Sequence, residues 1–393
     1  MGDGDGDADA DGAIDEMLDG GADASVDASL AGTLPVAEIA VGYNHACAID
    51  VEGALYCWGA NAFGQLGVGD QDPRITPARV GVESDWLSVA AGRLHSCAVR
   101  KGGALYCWGG GAFGQVGQLQ DNVLAPSSVA APSGAWRAVT AGQWHTCGLT
   151  DNGQAYCWGY NLLGRLGDGS GAGTEEDPEQ RVDAPRLVAG GVEFKAVSAG
   201  DAHTCAIDED DSAWCWGSGE EGRLGVAAPD TCMLADSDVS CALEPVALGD
   251  GRSYRVISAG GAHACAVEAS GTLWCWGQGA YGQLGIGDPG DPAERAAPVQ
   301  VNGPYAAVAT GASHTCALTS SGRTRCFGDG SNGQLGSVDG IAVAPRAVDL
   351  DDSIVQVASG ALGSCAVAET SLGYCWGLSA YAGTSEPRPL FQY

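Results

Sequence analysis

Apolar and polar positions alternate in short bursts along most of the chain, and each burst stops at a glycine. Residues 39–59 read IAVGYNHACAIDVEGALYCWG, and residues 257–277 repeat the pattern as ISAGGAHACAVEASGTLWCWG. Period-two alternation bounded by glycine marks half-buried strands joined by tight turns. A hairpin turning at Val51–Gly53 places Cys47 opposite Cys57 and Ile49 opposite Leu55. On the other face Ala48 meets Tyr56 and Ala46 meets Trp58, so small residues oppose large aromatics. The rule recurs as Ala98 with Tyr106, Gly148 with Tyr156, Ala206 with Trp214, Ala266 with Trp274 and Ala366 with Tyr374, and is broken only by Ala317 with Arg325. Such cross-strand pairs stabilise a sheet by roughly 0.2 to 1 kcal/mol each.

The hairpin returns seven times. First cysteines of successive hairpins are 50, 50, 58, 60, 51 and 49 residues apart. A period near fifty with glycine and aromatic punctuation belongs to a propeller or solenoid array, not to independent domains. After each of the first six hairpins comes a glycine cluster: Gly64–Gly67, Gly114–Gly117, Gly164–Gly167, Gly222–Gly225, Gly282–Gly285 and Gly333–Gly336. These glycines are expected where one repeat hands over to the next. A proline-led strand should follow, as in Pro77 to Val80, Pro185 to Val188 and Pro345 to Val348. With the last such segment at Pro387, the two chain ends should pack together and close a ring.

Sixteen cysteines sharpen this picture. Seven pairs share one i, i+10 spacing: Cys47 and Cys57, Cys97 and Cys107, Cys147 and Cys157, Cys205 and Cys215, Cys265 and Cys275, Cys316 and Cys326, Cys365 and Cys375. Cys232 and Cys241 remain as an eighth pair. Facing residues of an antiparallel pair lie within disulfide reach, and closing so short a loop contributes roughly 2 to 3 kcal/mol per repeat. An even, locally paired set indicates an oxidising, extracytoplasmic compartment, whether secreted, periplasmic or surface-anchored. A structural zinc site would need a fourth ligand beyond two thiolates and one imidazole, and no fourth candidate recurs, so no metal is expected.

In this order, the motifs resemble the regulator-of-chromosome-condensation repeat. They comprise a strand ending in Ala-Gly, then His-x-Cys-Ala, then Tyr/Trp-Cys-Trp-Gly, then Gly-Gln-Leu-Gly. The resemblance covers about residues 36–393 and implies an all-β fold, a seven-bladed β-propeller of four-stranded antiparallel blades, here with one disulfide per blade. The family's founding member is a nuclear exchange factor for a small GTPase that also docks on nucleosomes. This chain departs from it by being acidic and cysteine-rich. It is also similar to secreted bacterial members, among them a β-lactamase inhibitory protein whose loops bind another protein.

Charge narrows the partners. With 49 acidic against 18 basic side chains the net charge is −31, which disfavours nucleic acid and anionic lipid. No run of 18 apolar residues spans a bilayer, and a monomer is expected. Residues 1–35 form an acidic Gly/Ala/Asp-rich tail expected to be disordered, ahead of a propeller at 36–393. Asp7, Asp9 and Asp11 mimic the start of a calcium loop, but Leu18 stands where a bidentate glutamate is needed. Met1 is followed at once by Gly2 and Asp3, so no export signal is legible at this start.

All six histidines, His45, His95, His145, His203, His263 and His314, occupy one repeat position, and Gly363 replaces the seventh. Identical placement predicts a structural hydrogen bond to a neighbouring turn, since catalysis needs one unique base with its own partner. No cofactor motif, P-loop or nucleophile elbow stands out, so a non-enzymatic protein is expected. Two insertions extend the repeat after the glycine cluster, at 168–185 and 226–245. The first carries Glu175 and Glu176, and the second, closed by Cys232 and Cys241, carries Met233 and Leu234. Both are candidate partner-binding loops. The expected function is a protein- or glycan-interaction scaffold on an exported propeller. The alternatives are a proteinaceous enzyme inhibitor and an exchange factor for a small GTPase.

Overall fold

The structure is a computed structural model and describes residues 35–171, 180–234, 237–287, 294–337, 340–377 and 384–390. Asp7, Asp9, Asp11, Glu175 and Glu176 lie outside these residues. Blade one consists of β1 (Val36–Val41), β2 (His45–Asp50), β3 (Leu55–Gly59) and β4 (Arg74–Arg79), antiparallel and paired in chain order. In its hairpin Cys47 faces Cys57, Ala48 faces Tyr56 and Ala46 faces Trp58, the register that the spacing demands. The same arrangement recurs in seven blades. Blades five and six share one long strand, Arg295–Thr310, which is the outer strand of one and the inner strand of the next.

Each hairpin is bridged between its two middle strands, as the i, i+10 spacing predicts. Cys47 is bonded to Cys57, Cys97 to Cys107, Cys147 to Cys157 and Cys205 to Cys215. Around the rest of the ring Cys265 is bonded to Cys275, Cys316 to Cys326 and Cys365 to Cys375. In all seven the Cα atoms lie 4.1 Å apart, slightly closer than the roughly 4.5 Å of a non-hydrogen-bonded antiparallel pair. Cys232 and Cys241 are joined as well, and no cysteine is free. Blade four therefore carries two bridges, one in its blade hairpin and one, the expected eighth pair, in the hairpin of its insertion. The hairpin bridges lie in the middle of the fold rather than on its surface, with their cysteines fully buried.

Between blades the core is aromatic. Trp58, Trp108, Trp158, Trp216, Trp276, Phe327 and Trp376 are fully buried. Four of the glycine clusters receive one of these rings, at Gly67, Gly167, Gly225 and Gly285, whereas Gly117 and Gly336 meet Val129 and Val348. A side chain on Gly167 would lie 2.7 Å from the Trp216 indole nitrogen, and one on Gly285 2.6 Å from Phe327. Both glycines also have positive φ, so backbone and space forbid any other residue.

Around the axis, one backbone hydrogen bond crosses each blade junction. Tyr43 donates to Gly92, Arg93 to Gly142, Gln143 to Gly200, Asp201 to Gly260, Gly261 to Gly311, Ala312 to Gly360 and Ala361 to Gly42. The last bond closes the circle. The chain ends are tied beside it by the Gln356 side chain, which bonds both the N–H and the carbonyl of Ile39 at 3.1 and 3.2 Å. Val36, Ile39 and Trp58 pack there against Val367 and Leu390.

One expectation needs correction. The prolines do not lead their strands: Pro77 sits fourth in a strand that begins at Arg74. These strands form blade edges, where a missing N–H costs no ladder bond and discourages pairing with other chains.

Candidate functional site

The histidines are structural groups of the blade junctions. In each complete junction, Nε2 of one blade's histidine meets a hydroxyl of the next blade: His45 with Ser96 at 2.7 Å, His95 with Thr146 at 2.8 Å and His145 with Thr204 at 2.9 Å. His263 meets Thr315 and His314 meets Ser364, both at 2.8 Å. The hydroxyls donate onward to the carbonyls of Gln65, Gln115, Arg165, Gln283 and Gln334. A hydroxyl has one proton to give, so the imidazole is the Nε2–H donor in each relay. The partner is therefore a strand hydroxyl and not the turn that identical placement predicts. Burial, first among the causes, pushes the His45, His95 and His263 pKa values down to about 3 and that of His314 to about 4, and holds His145 and His203 well below their ordinary value. Imidazoles this deeply buried, with their basicity suppressed this far, are unsuited to general base catalysis.

Two junctions deviate. Between blades seven and one, Gly363 replaces the histidine and Ala46 replaces the hydroxyl, so both ends of the bond are lost together. Between blades four and five His203 remains, but Ala264 stands where the hydroxyl belongs. Neither ring nitrogen of His203 has a partner among the described residues.

The periodic framework leaves a central channel of about 300 Å³, lined by the inner strands. Its mouth is formed by the residues after the inner glycines: Tyr43, Arg93, Gln143, Asp201, Gly261, Ala312 and Ala361. These are not periodic. The Arg93 guanidinium lies 4.9 Å from the ring centres of both Tyr43 and Trp144. Trp144 meets Phe113 edge-on at 5.1 Å, and Phe113 meets Tyr160 at 4.7 Å. Arg165 lies over Tyr160 at 5.2 Å, and the exposed Arg181 covers Phe113 at 5.4 Å. A continuous aromatic and arginine platform thus runs across blades one to three and reaches Asp201 of blade four through Arg165. Arg165 is buried and gives a 3.1 Å hydrogen bond to the Asp201 carbonyl, which anchors the platform to the channel rim. Burial raises the Asp201 carboxyl pKa, against the pull of Arg223, Arg93 and Arg165.

The second insertion supports this platform. It folds into an added hairpin on blade four, in which a short insertion strand, Asp230–Leu234, pairs with the start of the outer strand, Ser237–Ala247. Cys232, Cys241, Leu234, Val239 and Leu243 pack on Leu162 and Leu163 of blade three, next to Tyr160. Leu234 therefore belongs to a small apolar cluster of its own, and Met233, half-buried, falls on the opposite face of the insertion strand. The platform residues escape sequence reasoning because they sit at positions where the repeats disagree. The only available signal is the disagreement itself: Tyr43 and Arg93 stand where later repeats have Gln143, Asp201, Gly261, Ala312 and Ala361, and Trp144 where others have Asn44, Leu94, Ala202, Ala262, Ser313 and Leu362.

Family models for the "Regulator of chromosome condensation (RCC1) repeat" match residues 52–99, 102–149, 152–207 and 270–318, and in a second form six segments from 36–65 to 305–334. The ultraviolet-B receptor UVR8 of Arabidopsis thaliana is 31% identical over 153 residues, 38% of this chain and 32% of that protein. The chain thus spans about a third of that relative's length. Among solved structures, human WBSCR16 superposes with a TM-score of 0.72 at 22% identity, over 83% of this chain and 84% of that one. Yeast RCC1 (Prp20), solved bound to Kap60, gives 0.70 at 23% identity, over 83% and 78%. Both structures share the fold. With repeats matched over more than half its length, the chain belongs to the regulator of chromosome condensation (RCC1) repeat family.

Proposed function

We propose that this protein is a non-enzymatic, exported interaction scaffold that binds a partner protein through the channel-mouth face of blades one to four. The observation that carries this reading is the unbroken series Tyr43, Arg93, Trp144, Phe113, Tyr160 and Arg165. Tyrosine, tryptophan and arginine are the residues that dominate interface energetics, and preorganised side chains lose little entropy on binding. The Arg93 guanidinium lies over the rings of both Tyr43 and Trp144 and takes up a stacking surface a sugar would use, which favours a protein over a glycan. Export rests on the eight disulfides. The solved yeast relative, described as bound to Kap60, is one propeller of this kind in a protein complex.

The test uses the oxidised full chain, immobilised and exposed to the secreted and surface proteins of the parent cells. Arg93→Ala combined with Trp144→Ala should reduce partner retention at least tenfold, while Lys101→Ala on the opposite face should leave it unchanged. Equal retention by the folded double variant and the wild type would refute the assignment.

A further inference from the structure

Every blade's outer strand contains a proline: Pro77, Pro126, Pro185, Pro245, Pro298, Pro345 and Pro387. These edges resist pairing with an incoming strand. Blade four departs further, because a separate proline-free strand lies outside its proline-bearing one. The upper half of its outer strand, Ser237–Cys241, is covered by the insertion strand, which itself becomes the edge. The segment Asp230-Thr231-Cys232-Met233-Leu234 holds no proline, and its second side pairs with no strand among the described residues. The Cys232–Cys241 bond ties the insertion strand to the outer strand of blade four, and Leu234 packs it against Leu162 and Leu163 of blade three.

Charge selects the occupant. No lysine or arginine occurs from residue 224 to 251, whereas Asp230, Asp236, Asp238 and Glu244 do. The nearest preceding arginine, Arg223, is already paired with Glu221 at 2.9 Å. A second copy of this chain would bring a charge of −31 to this edge, and the chain's own first 34 residues hold ten acids and no base. Both are repelled.

We propose that the free edge of the insertion strand is a strand-addition site for an extended, lysine- or arginine-bearing segment of a partner protein. Main-chain bonds would supply affinity, and the flanking carboxylates would select basic side chains on alternate positions. This inference rests on the scaffold reading and adds a second contact, adjacent to the platform.

Hydrogen exchange of the oxidised full chain, with and without a synthetic nonapeptide of alternating valine and lysine, tests it. The peptide should slow exchange of the 230–234 amides at least tenfold, and a valine–glutamate peptide should not. Thr231→Pro with Met233→Pro should abolish the protection, and Asp238→Lys with Glu244→Lys should weaken it. Binding without protection of this strand, equal protection by the acidic peptide, or protection produced by raising protein concentration alone would each overturn the proposal. Loss of partner retention in the Arg93/Trp144 variant alongside a silent insertion strand would leave the scaffold reading standing and remove only this one.

Discussion

The two arcs of the channel-mouth face are built on one skeleton and finished differently. Across blades one to four the residues after the inner glycines are Tyr43, Arg93, Gln143 and Asp201, whereas across blades five to seven they are Gly261, Ala312 and Ala361. Beneath both arcs run the same disulfides and the same kind of histidine–hydroxyl relay. Repetition in this protein marks what holds the ring together, and departure from repetition marks what the ring presents. The His203 junction adds a nuance. Where Gly363 and Ala46 replace both partners nothing is stranded, but beside Ala264 an imidazole is left buried with its nitrogens unpaired among the described residues.

The comparison breaks most forcefully under acid, which should strike the shared skeleton. The buried histidines have folded-state pKa values of about 3 to 4, or well below ordinary, against about 6.5 unfolded. The unfolded chain therefore binds more protons, so stability is full above pH 6.5 and falls as pH drops toward the folded values. Each histidine contributes a loss of about 1.4 kcal/mol per pH unit in that window. Urea unfolding at a series of pH values should show a loss of several kcal/mol between pH 6.5 and 5. A flat profile would mean that the relays are not sealed.

A single relay tests the division of labour. Thr204→Val strands the Nε2–H of His145 and should cost about 1 to 3 kcal/mol in denaturant unfolding while leaving partner binding intact. The Arg93/Trp144 double variant should do the opposite, losing binding with little change in stability. Smaller still is a predicted gain. Ala264→Ser supplies His203 with its missing acceptor and should stabilise by about 0.5 to 1.5 kcal/mol. Ala46→Ser, with Gly363 opposite and no imidazole to receive, should give no gain.

Much of this is legible in the sequence, for identifiable reasons. Hairpin register follows from the invariant cysteine spacing, because side chains alternate faces and one spacing admits only one facing arrangement. That single inference places Cys107, Cys157, Cys215, Cys275, Cys326 and Cys375 opposite their partners in the other six blades. The glycine clusters fall where the blades meet, although the ring that four of them receive, such as Trp216 against Gly167, belongs to the next blade and is distant in sequence. What sequence could not supply were contacts among unlike positions. Arg93 reaches both Tyr43 and Trp144 only because the ring brings three blades together at its axis. The histidine's partner reads as a turn for the same reason: the hydroxyl directly follows the next repeat's histidine, and only the curvature of the ring brings it within reach. Likewise the Cys232 hairpin reads as a projecting contact, whereas its apolar face is spent on Leu162 and Leu163.

The most direct test of the functional account is a photo-crosslinker placed, one variant at a time, at the equivalent positions Leu94, Ala202, Ala262, Ser313 and Leu362, which leaves Trp144 in place, with the partner mixture added. The account predicts that crosslinked partner concentrates at positions 94 and 202. A uniform yield around the ring, or a maximum at 262, 313 or 362, would contradict it.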